Sequence, residues 1–159
     1  MLLFITKDNY LEYGVLSAYM KFILNTIKHY WLTLVTMVTI SCLTLMDFSD
    51  IKKTESIAHL DKIVHLVMYF GFCAIFWFES LKHSAGIIRW YMILDTIVFP
   101  IAFGGLMEYL QSAMTSYRTG DFMDFVYNIA GVLCATVFSI FVTSPVIKKF
   151  KERKPGQGK

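Results

Sequence analysis

The chain has 159 residues, of which 56% are hydrophobic and 16% aromatic, while only 17% are charged. Water-soluble domains carry about a quarter charged residues, and disordered chains are poor in aromatics. The composition therefore disfavours a soluble enzyme, excludes disorder, and points to one lipid-embedded body. The net charge is +3, and six basic residues (Lys148, Lys149, Lys151, Arg153, Lys154, Lys159) crowd the last twelve positions. A basic cluster directly behind an apolar run marks the cytoplasmic end of a membrane helix and attracts anionic headgroups. No aromatic-basic platform accompanies it, so a nucleic-acid partner is not expected.

Residues 1–29 form a leader. Its first run, MLLFI, ends at Lys7 and Asp8, and no small-residue cleavage pattern follows, so it reads as an uncleaved anchor. Residues 10–27 mix apolar positions at helical spacing with Lys21 and Lys28. An amphipathic helix on the membrane surface and a poorly ordered leader both fit this pattern.

Four apolar stretches follow, at 30–46, 63–78, 87–110 and 122–146, each near the length of about 20 residues that a membrane helix needs. The expected fold is all-α: an integral membrane bundle of about four transmembrane helices over 30–146, closed by a basic tail at 147–159. Cys42, Cys73 and Cys134 are scattered within apolar runs and imply neither a disulfide framework nor metal spacing. With the N-terminus inside, eleven Lys and Arg fall on the cytoplasmic side and four outside. Both termini are thus expected in the cytoplasm, with the first and third loops outside.

The costly polar residues then converge on the outer side. Asp61, His65 and Tyr69 recur every fourth residue at the start of the second span, and Glu108 and Gln111 end the third. Arg118 follows in the loop, and Asp121, Asp124, Asn128 and Gly131 share one face of the fourth span. Taken singly, Asp61 and Asp121 read equally well as helix caps, Asn128 as an interhelical hydrogen bond, and His65 as a packed bundle residue. Gly104, Gly105 and Gly131 fit close helix packing. Taken together the polar set exceeds what capping requires, and it defines a candidate pocket. Asp95 lies outside it, deep in the third span and ahead of a Pro100 expected to kink the helix. Whether the kink realigns Asp95 or it meets Arg89 stays open.

The string GLMEYLQSAMTSYRTGDFMDFVYNIAG resembles the VanZ-like signature G-x-x-x-E-x-x-Q-x(6)-R-x(2)-D-x(2)-D-x(3)-N-x(2)-G. It is matched from Gly104 or Gly105 through Glu108, Gln111, Arg118, Asp121, Asp124 and Asn128 to Gly131. Upstream, DKIVHLVMYF resembles the same family's D-K-x-x-H-x-x-x-Y block at Asp61, Lys62, His65 and Tyr69. The two blocks cover 61–131, and no counterpart is matched before Trp31. The resemblance implies a small multi-pass protein of the bacterial cytoplasmic (inner) membrane and cell envelope, its namesake linked to antibiotic resistance against the glycopeptide teicoplanin.

Two functional classes follow. In a binding protein, Arg118, Lys62 and His65 would hold a phosphate or carboxylate of a lipid-linked cell-wall molecule, oriented by Asn128 and Gln111; membrane lipids or a glycopeptide are the expected partners, and no cofactor is needed. In a membrane-embedded enzyme, Glu108, Asp121 and Asp124 would bind Mg²⁺ or Mn²⁺, with His65 as acid/base and Arg118 on the phosphate. No nucleophile motif supports the enzyme. A transporter is disfavoured because the polar set stays at one end. The orientation predicts that cysteines at positions 50 and 118 react with an impermeant thiol reagent in intact cells, whereas one at 84 does not; the reverse pattern would invert the bundle.

Overall fold

The computed structural model describes residues 7–46, 57–114 and 122–153, with side chains from residue 14 in the first stretch and from residue 60 in the second. The described residues are helical apart from short turns: α1 (Lys7–His29), α2 (Trp31–Leu45), α3 (Ile57–His83), α4 (Trp90–Met114), α5 (Phe122–Phe138), a π-helical turn (Ser139–Thr143) and α6 (Ser144–Glu152). Three stretches are long and apolar enough to cross a membrane: Leu60–His83, Trp90–Met114 and Phe122–Glu152; α2 is a shorter apolar helix. The protein is an all-α, membrane-type helical protein. It divides into two compact units, Met1–Trp31 and Leu32–Lys159.

In the first unit α1 is amphipathic. Ser17, Lys21, Asn25 and Lys28 recur along one stripe, and Val15, Tyr19, Phe22 and Ile23 lie opposite, all exposed.

In the second unit the pairing of α3 with α5 sets the geometry. A Cβ at Gly131 would stand 2.4 Å from the carbonyl oxygen of Leu66 and 2.9 Å from the nitrogen of Phe70. Only glycine admits this approach, which is how small residues let membrane helices touch backbone to backbone. Farther along, Cys73 meets Val132 and Thr136, and the Trp77 indole donates to the Thr136 hydroxyl at 3.2 Å. Both helices advance together through these contacts, so α3 and α5 run parallel. Helix α4 runs against them, since Tyr69 lies beside Gly104 and Cys73 beside Thr96. Helix α2 is antiparallel to α3, with Thr33 at Glu79 and Thr44 at the level of Gln111. Phe72, fully buried, packs its ring against Tyr69 and Phe103.

Three local problems of helices in lipid are solved within the bundle. Pro100 sits inside α4 and has no N–H for the carbonyl of Thr96, four residues back. The buried thiol of Cys73 donates to that carbonyl at 3.3 Å, so a neighbouring helix supplies the missing donor. Pro145 raises the same conflict at the start of α6. There the preceding turn widens into π geometry, with the Ser144 N–H bonded to the Ser139 carbonyl. The third is the N-terminus of α2. Its first turn exposes unpaired N–H groups, and the Glu79 carboxylate from α3 accepts the N–H of Leu32 at 3.1 Å and of Thr33 at 3.0 Å, plus the Thr33 hydroxyl at 2.7 Å.

At that end the basic residues gather. The turn after α3 carries Ala85 and Gly86 at positive φ, with Gly86 packed against the backbone of Ser144 and Lys148. Its carbonyl accepts the Ser144 hydroxyl, and Lys151 donates to the Lys82 carbonyl.

Glu79 is 3% exposed, and charged hydrogen bonds of this kind are worth about 1.5–3 kcal/mol each. Glu79→Ala should therefore lower the thermal midpoint of detergent-purified protein sharply, followed through the exposure of the buried Cys73 thiol. Glu79→Gln, which keeps one acceptor, should fall between. A Glu79→Ala midpoint equal to wild type would show that the cap carries no stability.

Candidate functional site

The opposite end of the bundle collects buried polar groups at the centre of its packing. His65 on α3 is 4% exposed, Asp124 and Asn128 on α5 are 2% and 1%, and Glu108 and Gln111 on α4 are 9% and 0%. The fourfold spacing that aligns Asp61, His65 and Tyr69 on α3 turns the stripe onto α5, where Asp124 and Asn128 stand at matching spacing.

His65 is the hub. Its Nδ1 lies 3.0 Å from Asn128 Oδ1 and 3.6 Å from Glu108 Oε1, and its Nε2 lies 3.7 Å from Asp124 Oδ2. Asn128 Nδ2 donates to Glu108 Oε1 at 3.4 Å. Because the amide of Asn128 is spent as a donor to Glu108, its carbonyl oxygen is the acceptor, and Nδ1 of His65 carries the hydrogen. Glu108 and Asp124 thus flank the two ring nitrogens of a single imidazole, although they come from different helices. Gln111 Nε2 donates to the carbonyl of Thr44, tying the end of α2 into the same layer at 3.2 Å.

Tyr69, one turn below His65, is 1% exposed, and its hydroxyl has no hydrogen-bond partner among the described residues. Gly104 makes room for it: a Cβ there would lie 3.1 Å from the Tyr69 ring and 3.5 Å from Asn128 Nδ2. Asp61 and Lys62 are half-buried at the mouth of the stripe. Among the described residues, the group at metal-ligand spacing is Asp61, His65 and Asp124, with one ligand atom from each and all within 4.8 Å of one another. Of the carboxylates expected for a metal, Asp124 belongs to this group, Glu108 lies on the Nδ1 side of the ring, and Asp121 lies outside the described residues.

Arg118 and Asp121 lie outside the described residues, as do Asp50 and the tail beyond residue 153. Asp95 is exposed on α4, and Arg89 turns to the Tyr91 hydroxyl at 2.7 Å, so the two do not meet through that group. Sequence reasoning missed Glu79 and the Cys73 donor. An α2 start at Trp31, with Tyr30 rather than Ser, Thr, Asp or Asn at the cap position, was a signal that an outside acceptor was needed.

A family profile described as VanZ/LLP1 matches residues 9–143. The chain belongs to the VanZ/LLP1 family. The match reaches well ahead of Trp31 and takes in nearly all of α1, so the N-terminal helix has a counterpart in the family after all, contrary to the expectation from the two motif blocks. Searches of curated proteins and of solved structures return no match.

Within this VanZ/LLP1 chain the His65–Asn128 contact, at 3.0 Å, links α3 to α5 in the cluster. A double-mutant cycle of His65→Ala and Asn128→Ala should give a coupling within the roughly 0.5–3 kcal/mol seen for groups sharing a network. Additive effects would mean that the two side chains act independently.

Proposed function

We propose that the polar end faces the outside of a bacterial cytoplasmic membrane and binds the phosphate-bearing headgroup of a lipid-linked cell-envelope molecule. The observation that carries this reading is the buried layer of His65, Asn128, Glu108, Asp124 and Gln111 at one end of an otherwise apolar bundle. Ionisable groups within a membrane protein are expensive and mark functional sites by default. Position supports the ligand class: a polar cluster near the headgroup plane meets lipid-linked phosphates directly.

The orientation rests on the basic residues at the other end. Lys82, Arg89, Lys148, Lys149, Lys151 and Arg153 gather around the α3–α4 turn and α6, the arrangement of a cytoplasmic face. On this reading helix α2 makes the fourth pass, since its contacts run from Glu79 at the basic end to Gln111 at the polar end.

Lys62, His65 and Arg118 are the groups that meet the phosphate, and Asn128 and Gln111 hold the polar layer in register. Binding such a molecule would alter its availability to glycopeptides, which connects the reading to teicoplanin susceptibility. Native mass spectrometry of protein extracted with its lipids tests it. Wild type should retain a phosphate-bearing envelope lipid, and Arg118→Ala should lose most of it. Equal retention by both, or a bound organic cation instead, would overturn the reading.

A further inference from the structure

The basic end of the bundle carries chemistry that the polar cluster does not use. The last apolar stretch, Phe122–Glu152, counts 31 residues. At 1.5 Å per residue that is about 46 Å of helix, against a hydrocarbon core of about 30 Å. With Asp124 near one boundary of the membrane, α6 reaches the headgroup layer at the other. Positions 144–159 hold six basic residues against the single acid Glu152.

The two faces of α6 do different work. Ser144, Ile147, Lys148 and Lys151, spaced i, i+3, i+4 and i+7, look inward. The Ser144 hydroxyl donates to the Gly86 carbonyl at 2.7 Å, and Ile147 packs against the core. The stem of Lys148 lies along Gly86, and Lys151 Nζ donates to the Lys82 carbonyl at 2.9 Å. Lys148 and Lys151 are thus drawn onto the turn after α3. Val146, Lys149, Phe150 and Arg153 repeat the same spacing on the opposite face, all exposed, and line a hollow of about 240 Å³. The side chains of Lys149 and Arg153 have no hydrogen-bond or ion-pair partner among the described residues.

We propose that this outward stripe of α6 docks an anionic glycerophospholipid, its phosphate between Lys149 and Arg153 and an acyl chain along Val146 and Phe150. Residues four apart are neighbours on a helix, so the two cations can share one phosphate, with the planar fork of Arg153 meeting two of its oxygens. Each apolar residue precedes its basic neighbour by three positions, about 4.5 Å nearer the bundle, which is the order of chain and headgroup in a lipid. Charge selects the occupant. A second copy docked on the same face would bring like cations together, and a soluble anion would leave the apolar half of the hollow unused. The site is separate from the polar end and does not depend on the ligand proposed there.

The test offers full-length protein in detergent an equimolar mixture of phosphatidylglycerol and phosphatidylcholine with identical chains, read by native mass spectrometry. Wild type should retain one phosphatidylglycerol in preference. Lys149→Gln and Arg153→Gln should each lower that retention about fivefold, and Phe150→Gln should lower it with no change in charge. Removing two charges from α1 instead, as Lys21→Gln with Lys28→Gln, should leave the preference in place, and excess inorganic phosphate should not displace the lipid. Equal retention of both lipids by wild type, unchanged retention in the three α6 variants, or an equal loss in the α1 variant would overturn the proposal. Displacement by inorganic phosphate would make this a soluble-anion site, and a dimer that Phe150→Gln dissociates would give the face to a second copy; either result contradicts lipid docking.

Discussion

A polar group inside a bilayer has no water to fall back on, so each buried donor or acceptor must find its partner within the protein. In this chain that requirement explains features at three depths. Near the basic end, the first N–H groups of α2 are taken by Glu79. In mid-bundle, the carbonyl released by Pro100 is taken by Cys73. At the polar end, Asn128 links His65 to Glu108, and Gln111 reaches the last turn of α2. In each case the partner comes from a different helix, so hydrogen bonding and helix packing are a single problem.

Packing at this closeness depends on Gly131. With α3 and α5 in backbone contact at Leu66 and Phe70, the side chains one turn on either side have little choice of neighbour. His65 is driven against Asn128 and Asp124, and Cys73 against Val132 and Thr136. Gly104 plays a smaller part on α4, giving space to the Tyr69 ring. The polar cluster is thus a consequence of the helix contact as well as its reinforcement. Substituting a larger residue at Gly131 would move the hub without touching any of its members.

Much of this was legible in the residues. Composition alone excluded disorder and favoured lipid, and helical phase put His65, Glu108, Asp124 and Asn128 on faces that meet. What phase could not give was which atoms face which: both carboxylates touch the same ring, and Asp61 rather than Glu108 shares the Nε2 side with Asp124. The roles of Glu79 and Cys73 were hidden because each answers a need arising far along the chain in another helix, 46 and 47 residues away at Thr33 and Leu32 for Glu79 and 23 residues away at Thr96 for Cys73, and only the fold reveals that meeting. Asp95 was conspicuous in the sequence and is exposed on α4; the structure assigns it no place in the cluster. The family match reached farther than the motifs, which record polar chemistry, whereas α1 is an amphipathic pattern.

The central claim is that the Asn128 carbonyl oxygen holds His65 through a hydrogen on Nδ1. Nitrogen-15 magnetic resonance of histidine-labelled protein reads that state directly. The His65 signal can be picked out from the chain's four histidines by its loss in His65→Gln. The account predicts a hydrogen on Nδ1 whose bond to Asn128 is lost in Asn128→Leu. An Nδ1 without a hydrogen in the wild-type protein would contradict it.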